Sequence, residues 1–67
     1  MSDFRARLMT EHSELRQRIQ KLREFILGTQ YDTLPQIDRD DLKAQLGHME
    51  SYCEVLSRRV SRLCDNA

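Results

Sequence analysis

Between Leu42 and Leu63 the apolar residues fall at positions 42, 46, 49, 53, 56, 60 and 63, so their spacing alternates between four and three. A helix needs that 3.5-residue repeat only when a narrow stripe must stay on one neighbour, because a stripe of any other period drifts off its partner within a few turns. Leu42, Leu46, Met49, Cys53, Leu56, Val60 and Leu63 are therefore predicted to line one face of a long helix that needs a partner. A matching seam lies earlier, in Leu8, Leu15, Ile19, Leu22 and Ile26, with His12 at the one heptad position where a hydrophobe is usual.

Local signals bound the two helices. Ser2 or Asp3 can cap the first by accepting from its opening amides, and Gly28 is expected to end it in the left-handed conformation that glycine adopts freely. Pro35 pushes Leu34 toward extended backbone, which rules against one continuous helix. The connector from Gly28 to Ile37 contains Tyr31, Leu34 and Ile37, apolar groups that a purely solvated linker would not need, so an ordered loop over the end of the bundle is expected. Asp38 is expected to cap the second helix, with Asp40 and Asp41 in its first turn and Ile37 stapled on Leu42. The fold predicted is all-α: helices over about 3–27 and 38–64, joined by a loop at 28–37, in a two-helix antiparallel hairpin of coiled-coil type. The seams then pair Ile26 with Leu42, Leu22 with Leu46, Ile19 with Met49, Leu15 with Cys53, His12 with Leu56 and Leu8 with Val60.

At 67 residues the chain is expected to form a single domain whose core barely offsets chain entropy, so assembly into a homo-oligomeric helical bundle is predicted. The hairpin's two flanks differ. One gathers Phe4, Arg18, Phe25, Gln45, His48, Tyr52, Val55 and Arg59; the other has Arg16, Arg23, Lys43, Glu50 and Ser57 and reads as solvated charge. The oligomer interface is expected on the first, at Phe4, Phe25, Tyr52 and Val55. Groups at the edge of that contact, Arg18, Tyr52 and Arg59 with His48 as a fourth, are the candidate site for an anionic ligand or acidic partner, since arginine forks suit phosphate and an aromatic ring offers a stacking face.

Other chemistry finds less support. Eleven Lys and Arg balance eleven Asp and Glu, which argues against sequence-blind nucleic-acid binding because that needs a positive excess. Glu11–His12 lacks the second histidine of a zinc-protease helix, and His12 and His48 fall at different heights in the hairpin, so no metal and no cofactor is expected. Cys53 can approach His12, but nothing supplies an orienting group or an oxyanion site, so the protein is read as non-enzymatic. Cys53 and Cys64 are eleven residues apart on one helix, about 16 Å and beyond disulfide reach, so they are read as free thiols unless a bridge joins two chains. No apolar run is long enough to span a membrane, and Met1 to Arg7 carry charge where a signal peptide would be apolar, so a cytoplasmic location with no membrane association is expected.

The pattern Phe4, Leu8, Glu11, Glu14–Leu15, Arg18, Leu22, Phe25–Ile26, Leu34, Leu42, Gln45, Met49, Tyr52, Leu56, Arg59 and Leu63 resembles a family of short phage and prophage helical-hairpin proteins related to crAss-like phage proteins. More distantly it is similar to the hairpin of phage proteins that sequester cyclic-nucleotide immune signals of the CBASS and Thoeris defence systems. That resemblance implies an oligomer with sites between hairpins. The function it implies is a phage-type binding protein that counteracts host defence, by sequestering a nucleotide signal or by occluding a host defence protein. A structural coiled-coil module without a ligand is the alternative.

Overall fold

The computed structural model describes the backbone of residues 3–65 and the side chains of residues 3–63, so the cap expected at Ser2 and the thiol of Cys64 lie outside the described groups. Three helices follow in order: α1 (Asp3–Leu27), the single turn α2 (Thr29–Asp32) and α3 (Gln36–Asp65). α1 and α3 pack antiparallel as a hairpin 48 Å long and 15 Å across.

The seams meet along the length of this rod. Leu8, Leu15, Ile19 and Leu56 are buried and in one cluster, and Leu46, Met49, Cys53, Val60 and Leu63 pack against it from α3. Leu56 is the most enclosed side chain, with no exposed surface. His12, in its hydrophobe's position, is half-buried and satisfied across the seam, with Nε2 2.8 Å from the Ser57 hydroxyl. A polar group in a narrow seam costs little when its hydrogen bond is made there.

The turn departs from three expectations. Gly28 is not left-handed: its backbone is extended, at φ −90° and ψ 174°, and a side chain there would meet only ordinary contacts with the Glu24 and Phe25 carbonyls. The chain leaves α1 through a tight bond from the Gly28 amide to the Phe25 carbonyl (3.1 Å) and goes directly into α2, so no left-handed reversal is required. Asp38 does not cap α3. The Pro35 carbonyl accepts from the amides of Asp38 (3.0 Å) and Arg39 (3.1 Å), and the helix starts at Gln36. Proline's fixed φ already suits the opening of a helix, which moves the start two residues upstream and leaves Asp38 as a first-turn carboxylate near the positive helix end. Ile37 is consequently inside that first turn and 70% exposed, too far into solvent to staple Leu42.

Tyr31 closes the end of the rod. Its ring is buried, meets Phe25 edge-on at 6.5 Å and 89°, and its hydroxyl donates to the Arg39 carbonyl (3.1 Å). Such edge-to-face pairs add to simple burial because the positive ring edge meets the negative ring face. The connector is thereby fixed to both long helices.

Candidate functional site

Two surfaces flank the seam, and each carries a link between α1 and α3. On one, the Arg23 guanidinium reaches across to a single oxygen of Glu50, with Nε at 3.1 Å and the terminal nitrogen at 2.5 Å. On the other, the Tyr52 hydroxyl donates to the Glu11 carboxylate.

The Arg23–Glu50 side carries the more voluminous hollow. A trough of about 640 Å³ runs between the helices, with Ser13, Arg16, Gln17 and Arg23 along the α1 rim and Glu50, Glu54 and Ser57 along the α3 rim. Ile19 and Cys53 form its apolar floor. Long side chains on both helices, Arg16, Gln17 and Arg23 on α1 and Glu50 and Glu54 on α3, stand as rims above this floor. Among the described residues no carboxylate lies within ion-pair distance of Arg16, whereas Glu54 leans toward Arg58 on its own helix (3.8 Å). Arg16 and Arg23 lie seven residues apart on one stripe of α1, about 10 Å along the axis.

The Tyr52 side has smaller hollows. Two shallow depressions of about 140 and 250 Å³ share Phe4, Leu8 and Arg59, with Arg7 and Glu11 completing one and Arg62 and Leu63 the other. The Tyr52 hydroxyl is held above the usual phenol range, first by the hydrogen bond it donates to Glu11, then by partial loss of water and by the Glu11 charge, with Arg59 pulling the opposite way.

Of the residues expected at a site, Tyr52 and Arg59 therefore share this flank with Glu11 between them. Arg18 is on the same flank but distant: fourteen residues beyond Phe4, the neighbour of Arg59, it lies about 21 Å along the axis. Its guanidinium is 67% exposed and 3.8 Å from Glu14. His48 is exposed. One hairpin thus does not bring Arg18 and Arg59 to a common point; only a second chain could. Of the expected interface residues, Phe4, Tyr52 and Val55 are exposed, while Phe25 is half-buried against Tyr31.

The trough was missed by a reading that took Arg16, Arg23, Glu50 and Ser57 as solvated charge. The available signal was two short residues one turn apart on α3, Cys53 and Ser57, beside the seam. Among the described residues, no three His, Cys, Asp or Glu side chains gather in an arrangement able to hold a metal ion, and no helix is long and apolar enough to cross a membrane.

The chain matches a family model described as Sequestin over residues 2–62. The crAss-like assignment is not part of that match. Neither curated proteins nor solved structures give a match.

Proposed function

The chain belongs to the Sequestin family, and from that premise we propose that it is a non-catalytic phage-type protein that counteracts host defence by binding a nucleotide immune signal in the trough between α1 and α3. Family membership itself points to a binding protein that sequesters a partner molecule. The observation that carries the finer reading is the trough's size and lining. Its roughly 640 Å³ is on the scale of small-molecule sites, which favours sequestering a small molecule there.

The lining suits a nucleotide. Among the described residues Arg16 has no carboxylate competing for it and its guanidinium is available to phosphate oxygens, while Arg23, held to Glu50 through Nε and one terminal nitrogen, keeps its other terminal nitrogen for a second anionic group. Their separation along α1 suits a ligand with two negative charges better than a single phosphate. Ser13, Gln17 and Ser57 offer hydrogen bonds to sugar and base, Glu50 and Glu54 accept from hydroxyls, and Ile19 with Cys53 gives a flat apolar floor.

Isothermal titration of the purified protein with a panel of cyclic di- and trinucleotides tests this. We expect saturable, salt-sensitive binding that Arg16→Ala weakens by about 10- to 100-fold, the scale of one charge-assisted hydrogen bond. A second arrangement, with Arg18, Tyr52, Arg59 and His48 converging from two chains, predicts the reverse: Arg16→Ala binds normally while Arg18→Ala and Arg59→Ala fail. If wild type binds no nucleotide and instead retains a host protein in a pull-down, occlusion replaces sequestration; if it does neither, the structural-module alternative holds.

A further inference from the structure

The flank opposite the trough has a symmetry of its own. Along one stripe of α1, at intervals of seven, stand Phe4, Glu11, Arg18 and Phe25. Read in reverse the order is Phe, Arg, Glu, Phe. A second copy laid against this stripe and running the other way therefore sets Phe4 on Phe25 and Glu11 on Arg18, each pair twice. We infer that this flank is a self-complementary interface through which two copies of the chain form an antiparallel four-helix bundle, with the two-fold axis crossing α1 midway between Glu11 and Arg18.

Charge at the ends of the rod selects the same orientation. The loop end carries Asp32, Asp38, Asp40 and Asp41 against Arg39 and Lys43, and the far end carries Arg5, Arg7, Arg58, Arg59 and Arg62 against Asp3 and Glu54. Copies running in the same direction would stack arginine on arginine and aspartate on aspartate, whereas the antiparallel arrangement puts each basic end on an acidic one. Like charges forced together at an interface cost several kcal/mol, so the choice between the two is decisive. The α3 edge follows the same rule. Arg59 lies level with Phe4, and Asp38 falls three intervals of seven before it on α3, so the symmetry carries Arg59 toward the end of the other copy where Asp38 lies.

The apolar content fits an interface that is covered. Phe4 is 56%, Tyr52 45% and Val55 40% exposed, and all three lie on this flank. A face 48 Å by 15 Å hides on the order of 700 Å² per copy, near the ~800 Å² typical of stable complexes. The polar groups on the stripe remain able to pair outward: Arg18 has only its long contact to Glu14, and Glu11, though it accepts from Tyr52, is exposed. This inference is independent of the nucleotide reading, because the trough lies on the other flank and stays open in the dimer.

Sedimentation equilibrium of wild type, Glu11→Arg, Arg18→Glu and the double variant tests it, with circular dichroism monitoring helix content. Wild type should be a dimer at micromolar concentration. Each single variant should raise the dimer dissociation constant at least ~10-fold, since it puts like charges opposite each other twice. The double variant restores opposite charges and should recover most of the lost affinity. An equimolar mixture of the two single variants should form a heterodimer, because one chain then carries two arginines on the stripe and the other two glutamates. Wild type that stays monomeric at 100 µM (roughly −5.5 kcal/mol or weaker association), single variants that dimerise like wild type, or a double variant and a mixture no better than the singles would each overturn it. Arg18→Glu changes an exposed side chain, so its assembly behaviour remains readable even if Glu11→Arg, which also removes the Tyr52 partner, lowers helix content.

Discussion

The two flanks of this hairpin are made from the same kinds of residue and present different surfaces. Each has arginines, glutamates and a polar link from α1 to α3. On the Arg23 side, short residues on α3 let the rims stand above an Ile19–Cys53 floor, and the polar groups surround a hollow. On the Tyr52 side, Phe4, Tyr52 and Val55 fill the space, and the charges sit in a line that complements its own reverse. Side-chain length at the seam edge, more than charge, separates a surface that holds a small molecule from one that meets another copy.

Three substitutions probe that contrast, beginning with what the flanks share. Leu56 lies beneath both and has no exposed surface. Leu56→Ala should destabilise the hairpin by about 2–5 kcal/mol, the usual cost of deleting a buried leucine, and in thermal denaturation both ligand binding and assembly should fail together. A variant that lost one and kept the other would show that the flanks do not depend on a common core.

Gly47 lies within α3 with nothing within 4 Å of where a Cβ would be, so Gly47→Ala should stabilise the helix by about 0.5–1 kcal/mol while leaving both surfaces unchanged. An unchanged or lowered denaturation midpoint would contradict this. It also provides a stiffened background in which weaker effects on either flank are easier to measure.

The smallest effect belongs to one flank alone. Because the fold raises the Tyr52 pKa, the folded chain holds the phenolic proton more tightly than the unfolded one. That contribution is fully present below the ordinary tyrosine pKa of about 10 and is lost as pH rises through the raised value. Stability measured upward from pH 9 should therefore fall less steeply in Tyr52→Phe than in wild type. Equal alkaline slopes would mean that the Glu11 hydrogen bond does not persist in solution.

The hairpin was legible because the seam is periodic: Leu8, Leu15, Ile19 and Leu56, picked from spacing alone, are the buried cluster. Periodicity reports which residues share a face, and says little about how a chain turns. The start of α3 was misplaced because Asp38 has the chemistry of a cap, while the deciding group was the backbone carbonyl of Pro35, which no side-chain pattern reveals. Gly28 was assigned a left-handed turn from residue type, whereas a one-turn helix after it made an extended glycine sufficient. The trough was hidden for a related reason. It is defined by what Cys53 and Ser57 leave empty, and a heptad reading assigns a role to each residue present rather than to the volume between them.

The length of the rod changes what its neutrality means. Eleven positive and eleven negative side chains cancel on paper. At physiological ionic strength, however, a charge is screened over about 8 Å, a small fraction of the 48 Å from one end to the other. An approaching molecule therefore never meets the sum. It meets an acidic tip around Asp38, Asp40 and Asp41, a basic one around Arg59 and Arg62, or the mixed middle where Arg16 and Arg23 lie beside Glu50 and Glu54, so zero net charge conceals two ends of opposite sign.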